Sequence, residues 1–148
     1  MYEIRLHDDA EADLAHIRQA NEDAAARILT FLDEYLTDST LQYSLAVEEF
    51  ENEVFGVDRI TAFQQIGYDA WRIKLAGLDI TLGPLTGQRA GAYLNHRIVY
   101  AFDDQNGVIW ILGIFKRKDY DYDPNDAIGK RIRDAYDYLG LPRRSYIH

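Results

Sequence analysis

The residues best suited to chemistry are basic and lie on β-like segments. Trp71-Arg72-Ile73-Lys74-Leu75 alternates apolar and cationic side chains, so in a strand Arg72 and Lys74 share a face, about 7 Å apart. Arg97 falls in a second β-rich run, His96 to Phe102. Lys116, Arg117 and Lys118 end a third, and Tyr120 and Tyr122 follow directly. Neighbouring strands would gather these groups on one surface. Arg grips phosphate bidentately, and Lys stabilises developing negative charge as a point charge. Each basic element alone reads as the solvated face or end of a strand. Three of them on one sheet point to an anion site.

Other chemistries find less support. Cysteine is absent, which excludes thiolate ligands, a Cys nucleophile and disulfides. His7, His16, His96 and His148 show no ligand spacing. As Arg97's neighbour in a strand, His96 should point to the opposite face. No GxSxG elbow is present, and Gly83, Gly87 and Gly91 match neither a P-loop nor a dinucleotide fingerprint. The pairs Glu48-Glu49 and Asp103-Asp104 read as surface and turn residues.

Elements to position the basic residues can be read along the chain. Tyr2 to Leu6 alternates as a short strand. Asp8 and Asp9 offer an N-cap and first-turn negative charge to an α-helical hairpin over about Asp8 to Leu36, with a break at Asn21-Glu22. Asp58 to Gln65 reads as one or two helical turns ended by Gly67. His96–Phe102 and the apolar run Val108–Phe115 form an antiparallel hairpin through an Asn106-Gly107 turn. Asp126 to Leu139 repeats apolar residues at helical spacing and stops at Gly140 and Pro142. The expected fold class is α+β, an antiparallel β-sheet packed against an N-terminal α-helical hairpin and a C-terminal helix. One domain should span residues 1–148, with insertions at about 37–57 and 76–95.

Charge sharpens this picture. The chain has 148 residues and a net charge of −9, which argues against a general nucleic-acid coat. Residues 1–70 carry −12 and residues 71–148 carry +3; between Trp71 and Lys118 the net is +4. Any phosphate-binding surface belongs to the second half. No signal peptide or transmembrane run is visible, so a soluble cytoplasmic protein without a membrane partner is expected.

The helical hairpin with Glu11-Ala12-Asp13-Leu14, the strands Trp71–Lys74 and His96–Tyr100, and the segment Ile111–Tyr120 together resemble the RelE/ParE superfamily of type II toxins. The resemblance implies a toxin of a toxin–antitoxin system. The RelE branch is a ribosome-dependent mRNA endoribonuclease that inhibits translation without metal or other cofactor. It implies catalytic roles for Arg97, Arg117 and Tyr120 or Tyr122, and substrate binding by Arg72, Lys74, Lys116 and Lys118. A cognate antitoxin is the implied partner, with mRNA and the ribosome as targets. The alternatives are a ParE-like inhibitor of DNA gyrase, or a non-catalytic binding module that has kept the fold. The chain is longer and more acidic than typical members.

Overall fold

The computed structural model describes residues 2–38, 41–42, 45, 49–51, 55–75 and 95–143. Within these, six strands form one sheet: β1 (Glu3–Leu6), β2 (Phe50–Glu51), β3 (Phe55–Arg59), β4 (Trp71–Leu75), β5 (His96–Asp103) and β6 (Val108–Lys116). Their spatial order is β1-β6-β5-β4-β3-β2. The helices are α1 (Asp8–Ala20), α2 (Glu22–Thr30), α3 (Thr61–Gln64) and α4 (Ala127–Tyr138). The α+β class is as expected, with one difference: β1 runs parallel to β6, while the other pairs are antiparallel.

The break at Asn21 is a shared cap. Its backbone N–H closes α1 onto the Ile17 carbonyl, and its side chain accepts from Ala24 N–H at 3.0 Å to open α2. The start of α1 departs from expectation. His7 rather than Asp8 is the N-cap, its Nδ1 accepting from Asp9 N–H at 3.1 Å. Helix α2 continues as a π-helical turn, Phe31–Tyr35, which delivers Phe31 and Leu32 to the core. The expected helical turns at Asp58–Gln65 are a strand end followed by α3. Phe55 and Val57 alternate with Gly56 and Asp58, and that short period-two pattern makes β3.

The sheet separates two apolar layers. Ile73, Ile98 and Ile111 pack with Ala10, Leu14 and Ile28 of the helical hairpin. Val99, Ala101 and Leu112 pack with Ile132, Ala135 and Tyr136 of α4, beside Phe63 and Tyr68. The β5–β6 hairpin turns through Asp103–Gly107, where Gly107 takes φ 64° and the Asp103 carboxylate accepts from Asn106. A register shift between Val99 and Tyr100 marks a bulge in this pair. The segment 76–94, most of the expected second insertion, lies outside the described residues. Of the first, the described part contains β2 and the start of β3.

Candidate functional site

Alternation along β4 buries Trp71, Ile73 and Leu75 against the helical hairpin and turns Arg72 and Lys74 to the other face. Register does the rest. Lys74 stands opposite Arg97 on β5, and Arg72 stands opposite Asp58 on β3. Arg72, Lys74, Arg97 and Asp58 therefore occupy one side of the sheet, next to the part of that side covered by α4.

Arg97 is 9% exposed, and its Nη1 donates to the His96 carbonyl at 3.2 Å. Among the described residues no carboxylate pairs with it. Burial lowers its pKa, the nearby Arg117 and Arg72 push the same way, and Tyr122 opposes them. Even so, a guanidinium stays charged at neutral pH. Arg72 is the paired cation. Its Nε and Nη2 donate to the two Asp58 oxygens at 2.5 and 3.0 Å, and this bond raises its pKa. Lys74 Nζ lies 3.5 Å from the same carboxylate.

Tyr122 closes the cluster. Its ring centroid lies 4.5 Å from the Arg72 guanidinium carbon, and the ring packs against Phe115 and Tyr120. Its hydroxyl is buried and completes no hydrogen bond of normal geometry among the described residues. Both guanidiniums are near enough to pull its pKa down, yet burial outweighs them and raises it. Tyr122 is thus a neutral phenol, able to donate to an anion and poorly suited to serve as a base.

The loop that carries Tyr122 is pinned from several sides. Tyr120 is buried, and its hydroxyl donates to the Asp123 carbonyl at 2.9 Å. Burial, reinforced by Asp126, Asp123 and Asp121, raises the Tyr120 pKa. Asp121 and Asp123 accept from backbone N–H groups two residues ahead, at 3.2 and 2.8 Å. Gly129 in the first turn of α4 allows the loop to press close, since a Cβ there would stand 2.0 Å from the Asp123 carbonyl oxygen. Of the two tyrosines singled out in the sequence, Tyr122 presents its hydroxyl to the cations; Tyr120 spends its own on the loop.

The remaining basic residues spread outward. Arg117 and Lys118 are exposed in a 3₁₀ turn after β6, and the Arg117 N–H donates to the Asn95 carbonyl at 2.7 Å. Lys116 is exposed and stands opposite His96 in register. It lines a separate cavity of about 440 Å³ between α1 and the end of β6, with Asp13, His16 and Asp119. His96 lies on the other side of the sheet from Arg97, as strand alternation requires, with neither ring nitrogen hydrogen-bonded among the described residues.

Sequence reading missed Asp58, the one acid on this face among the described residues that pairs with its cations. The acidic segment Glu48–Glu53 does not supply this pairing in its described part. Its described side chain, Glu49, accepts instead from the Arg59 N–H at 3.0 Å, at the far edge of the sheet. Among the described residues no group of three His, Asp or Glu side chains is placed to hold a metal ion, and no helix is long and apolar enough to cross a membrane.

No family model and no curated protein matches the chain. Among solved structures, a chain of the archaeal RelE–RelB complex from Pyrococcus horikoshii OT3 is similar. The match covers 78% of this chain and 94% of that one, at 16% identity and a TM-score of 0.39.

Proposed function

We propose that this protein is a RelE-like toxin of a type II toxin–antitoxin pair, acting as an mRNA endoribonuclease on the ribosome. The observation that carries the reading is the buried Tyr122 hydroxyl facing the Arg97 and Arg72 guanidiniums without closing a hydrogen bond of normal geometry to either, on the face where Lys74 also stands. A phosphodiester fits such a site: the cations take its charge and the phenol supplies a directed donor.

Cleavage on this reading is an internal transesterification. The ribose 2′-oxygen attacks the adjacent phosphorus, and its proton leaves to a base or water. The bond from phosphorus to the 5′-oxygen breaks, leaving a 2′,3′-cyclic phosphate and a 5′-hydroxyl that has gained a proton. Arg97 and Arg117 hold the extra negative charge of the phosphorane, and Tyr122 donates to one of its oxygens. Tyr120 supports the loop from behind. The partner fitting this face is an antitoxin segment bearing carboxylates, because covering unpaired cations with apolar groups is costly.

The second reading is a binding module that has kept the fold without RNA chemistry. Asp58 favours it, since that carboxylate already neutralises part of the patch. Ribosomes carrying a defined mRNA, incubated with the purified protein, decide between the two. Primer extension should show new 5′ ends with the unaltered protein and none with Arg97→Ala or Tyr122→Phe. Cleavage undiminished in both variants rejects the site. A parallel gyrase supercoiling assay should show no inhibition; inhibition there together with intact mRNA would favour a ParE-like target.

A further inference from the structure

We propose that Asp58 is an internal anion that competes with the ligand phosphate for Arg72 and Lys74, and so sets the affinity of the site. This rests on the reading of the face as a phosphodiester site, and adds to it a residue that limits binding.

The face is divided. On the β3–β4 side every cation is paired: Asp58 holds Arg72 through two oxygens and Lys74 through one. On the β5 side Arg97 has no carboxylate among the described residues, and the Tyr122 hydroxyl faces the guanidiniums without closing a hydrogen bond of normal geometry. The two sides meet at Arg72, which bonds to Asp58 in the plane of its guanidinium and stacks on Tyr122 with its face. Arg97 is thus the cation of this face that a phosphate can take without displacing a carboxylate. Full engagement of Arg72 and Lys74 requires the phosphate to replace a carboxylate already at hydrogen-bonding distance.

The contact is partly shielded. Side-chain exposures are 26% for Arg72, 23% for Asp58 and 38% for Lys74, so the pair keeps more of its attraction than a fully solvated one. A single small anion gains little by displacing Asp58. A polyanionic strand held by several cations at once can do so. Asp58 thus tilts the site toward nucleic-acid chains and away from free phosphate, and in the empty protein it keeps Arg72 and Lys74 from standing unpaired.

The test is binding of a fluorescein-labelled oligoribonucleotide, 2′-O-methylated against cleavage, measured by anisotropy across a salt series. Asp58→Asn should bind about tenfold tighter than the unaltered protein at low salt. Two freed cations should steepen the salt dependence by about 1.4 in log–log slope, at about 0.7 per contact on a single strand. Inorganic phosphate, weak against the unaltered protein, should compete better against the variant. If the unaltered protein binds the strand, Arg97→Ala weakens it and Asp58→Asn changes neither affinity nor slope, the competition is refuted while the site stands. If the unaltered protein does not bind, or Arg97→Ala binds equally well, the site itself is refuted and the competition falls with it. A second measurement needs no variant at residue 58. In the unaltered protein the Arg72 Nε–H NMR resonance should move when the strand is added, and an unmoved resonance at saturation overturns the proposal.

Discussion

Tyr122 takes a left-handed backbone, φ 67°, and in that conformation its ring stacks 4.5 Å from the Arg72 guanidinium carbon. A residue with a Cβ accepts such a φ at a cost of about 1–2 kcal/mol. The surroundings hold it there: the Tyr120 hydroxyl, two Asx turns and the close approach to Gly129 fix the loop on both sides of Tyr122. A strained residue at the meeting point of two arginines is where function and stability are expected to pull apart.

Tyr122→Phe separates them. The change keeps the ring, its stacking and the strained backbone, and removes only a buried hydroxyl that closes no hydrogen bond of normal geometry to the two guanidiniums it faces. Deleting such a group leaves stability unchanged or raises it by about 1 kcal/mol. Thermal melting should therefore match or exceed that of the unaltered protein, while mRNA cleavage falls about a hundredfold. A large drop in melting temperature would mean that the hydroxyl is satisfied in solution and serves the fold.

Gly129→Ala tests how the loop is held. On propensity alone alanine stabilises an α-helix by up to about 1 kcal/mol. Here its Cβ would meet the Asp123 carbonyl oxygen at 2.0 Å, which is backbone and cannot swing aside as a side chain would. The loop must move and take Tyr122 with it. The expected result is a loss of about 1–3 kcal/mol in a denaturant melt, together with a shifted Arg72 Nε–H resonance. A variant more stable than its parent would show that the loop yields freely, and with it the argument for a fixed Tyr122.

Local pattern made much of this legible. The β5–β6 hairpin and α4 follow from an Asn-Gly turn, a continuous apolar run and helical spacing, all signals that lie within a few residues. Arg72 and Lys74 share a face because β4 alternates cleanly. The parallel pairing of β1 with β6 joins residues about a hundred positions apart, and no local signal encodes it. Asp58 was hidden for a related reason. Its role depends on the register Asp58 opposite Arg72, and β3 is too short and too rich in Gly and Asp to read as a strand. The alternation of Phe55 and Val57 with Gly56 and Asp58 was the signal that could have revealed it. The choice between Tyr120 and Tyr122 turns on one positive φ, which the sequence around Asp121 and Asp123 does not specify.

Asp13 and Arg131 tie the two helical layers together across β6. The Asp13 oxygens accept from Arg131 Nη1 and Nη2 at 2.8 and 2.7 Å, and one of them also accepts from the Ile114 N–H at 2.9 Å. Strand β1 ends at Leu6 opposite Ile111, and beyond that point this carboxylate takes the Ile114 N–H on the outer edge of β6. Asp13→Ala should cost about 2–4 kcal/mol, because it orphans an N–H and a partly buried guanidinium together. Asp13→Asn keeps an acceptor for Ile114 and should cost about half as much. Equal losses in the two denaturant melts would show that charge alone matters at this site.

His96 gives the protein a predicted weakness to mild acid. Burial lowers its pKa below the usual 6.5, Lys116 and Arg97 add to that, and Asp119 opposes them. The unfolded chain therefore binds the proton at a higher pH than the folded one does. As pH falls through about 6.5 the unfolded state gains the proton first, and stability declines until the folded pKa is reached. Above that window His96 is neutral in both states and contributes no pH dependence. One proton changes stability by at most about 1.4 kcal/mol per pH unit. Melting temperatures at pH 7.5 and 5.5 should thus fall further for the unaltered protein than for His96→Leu, the difference isolating this histidine from His7, His16 and the carboxylates. Parallel declines in the two proteins would mean that His96 takes up its proton as readily folded as unfolded.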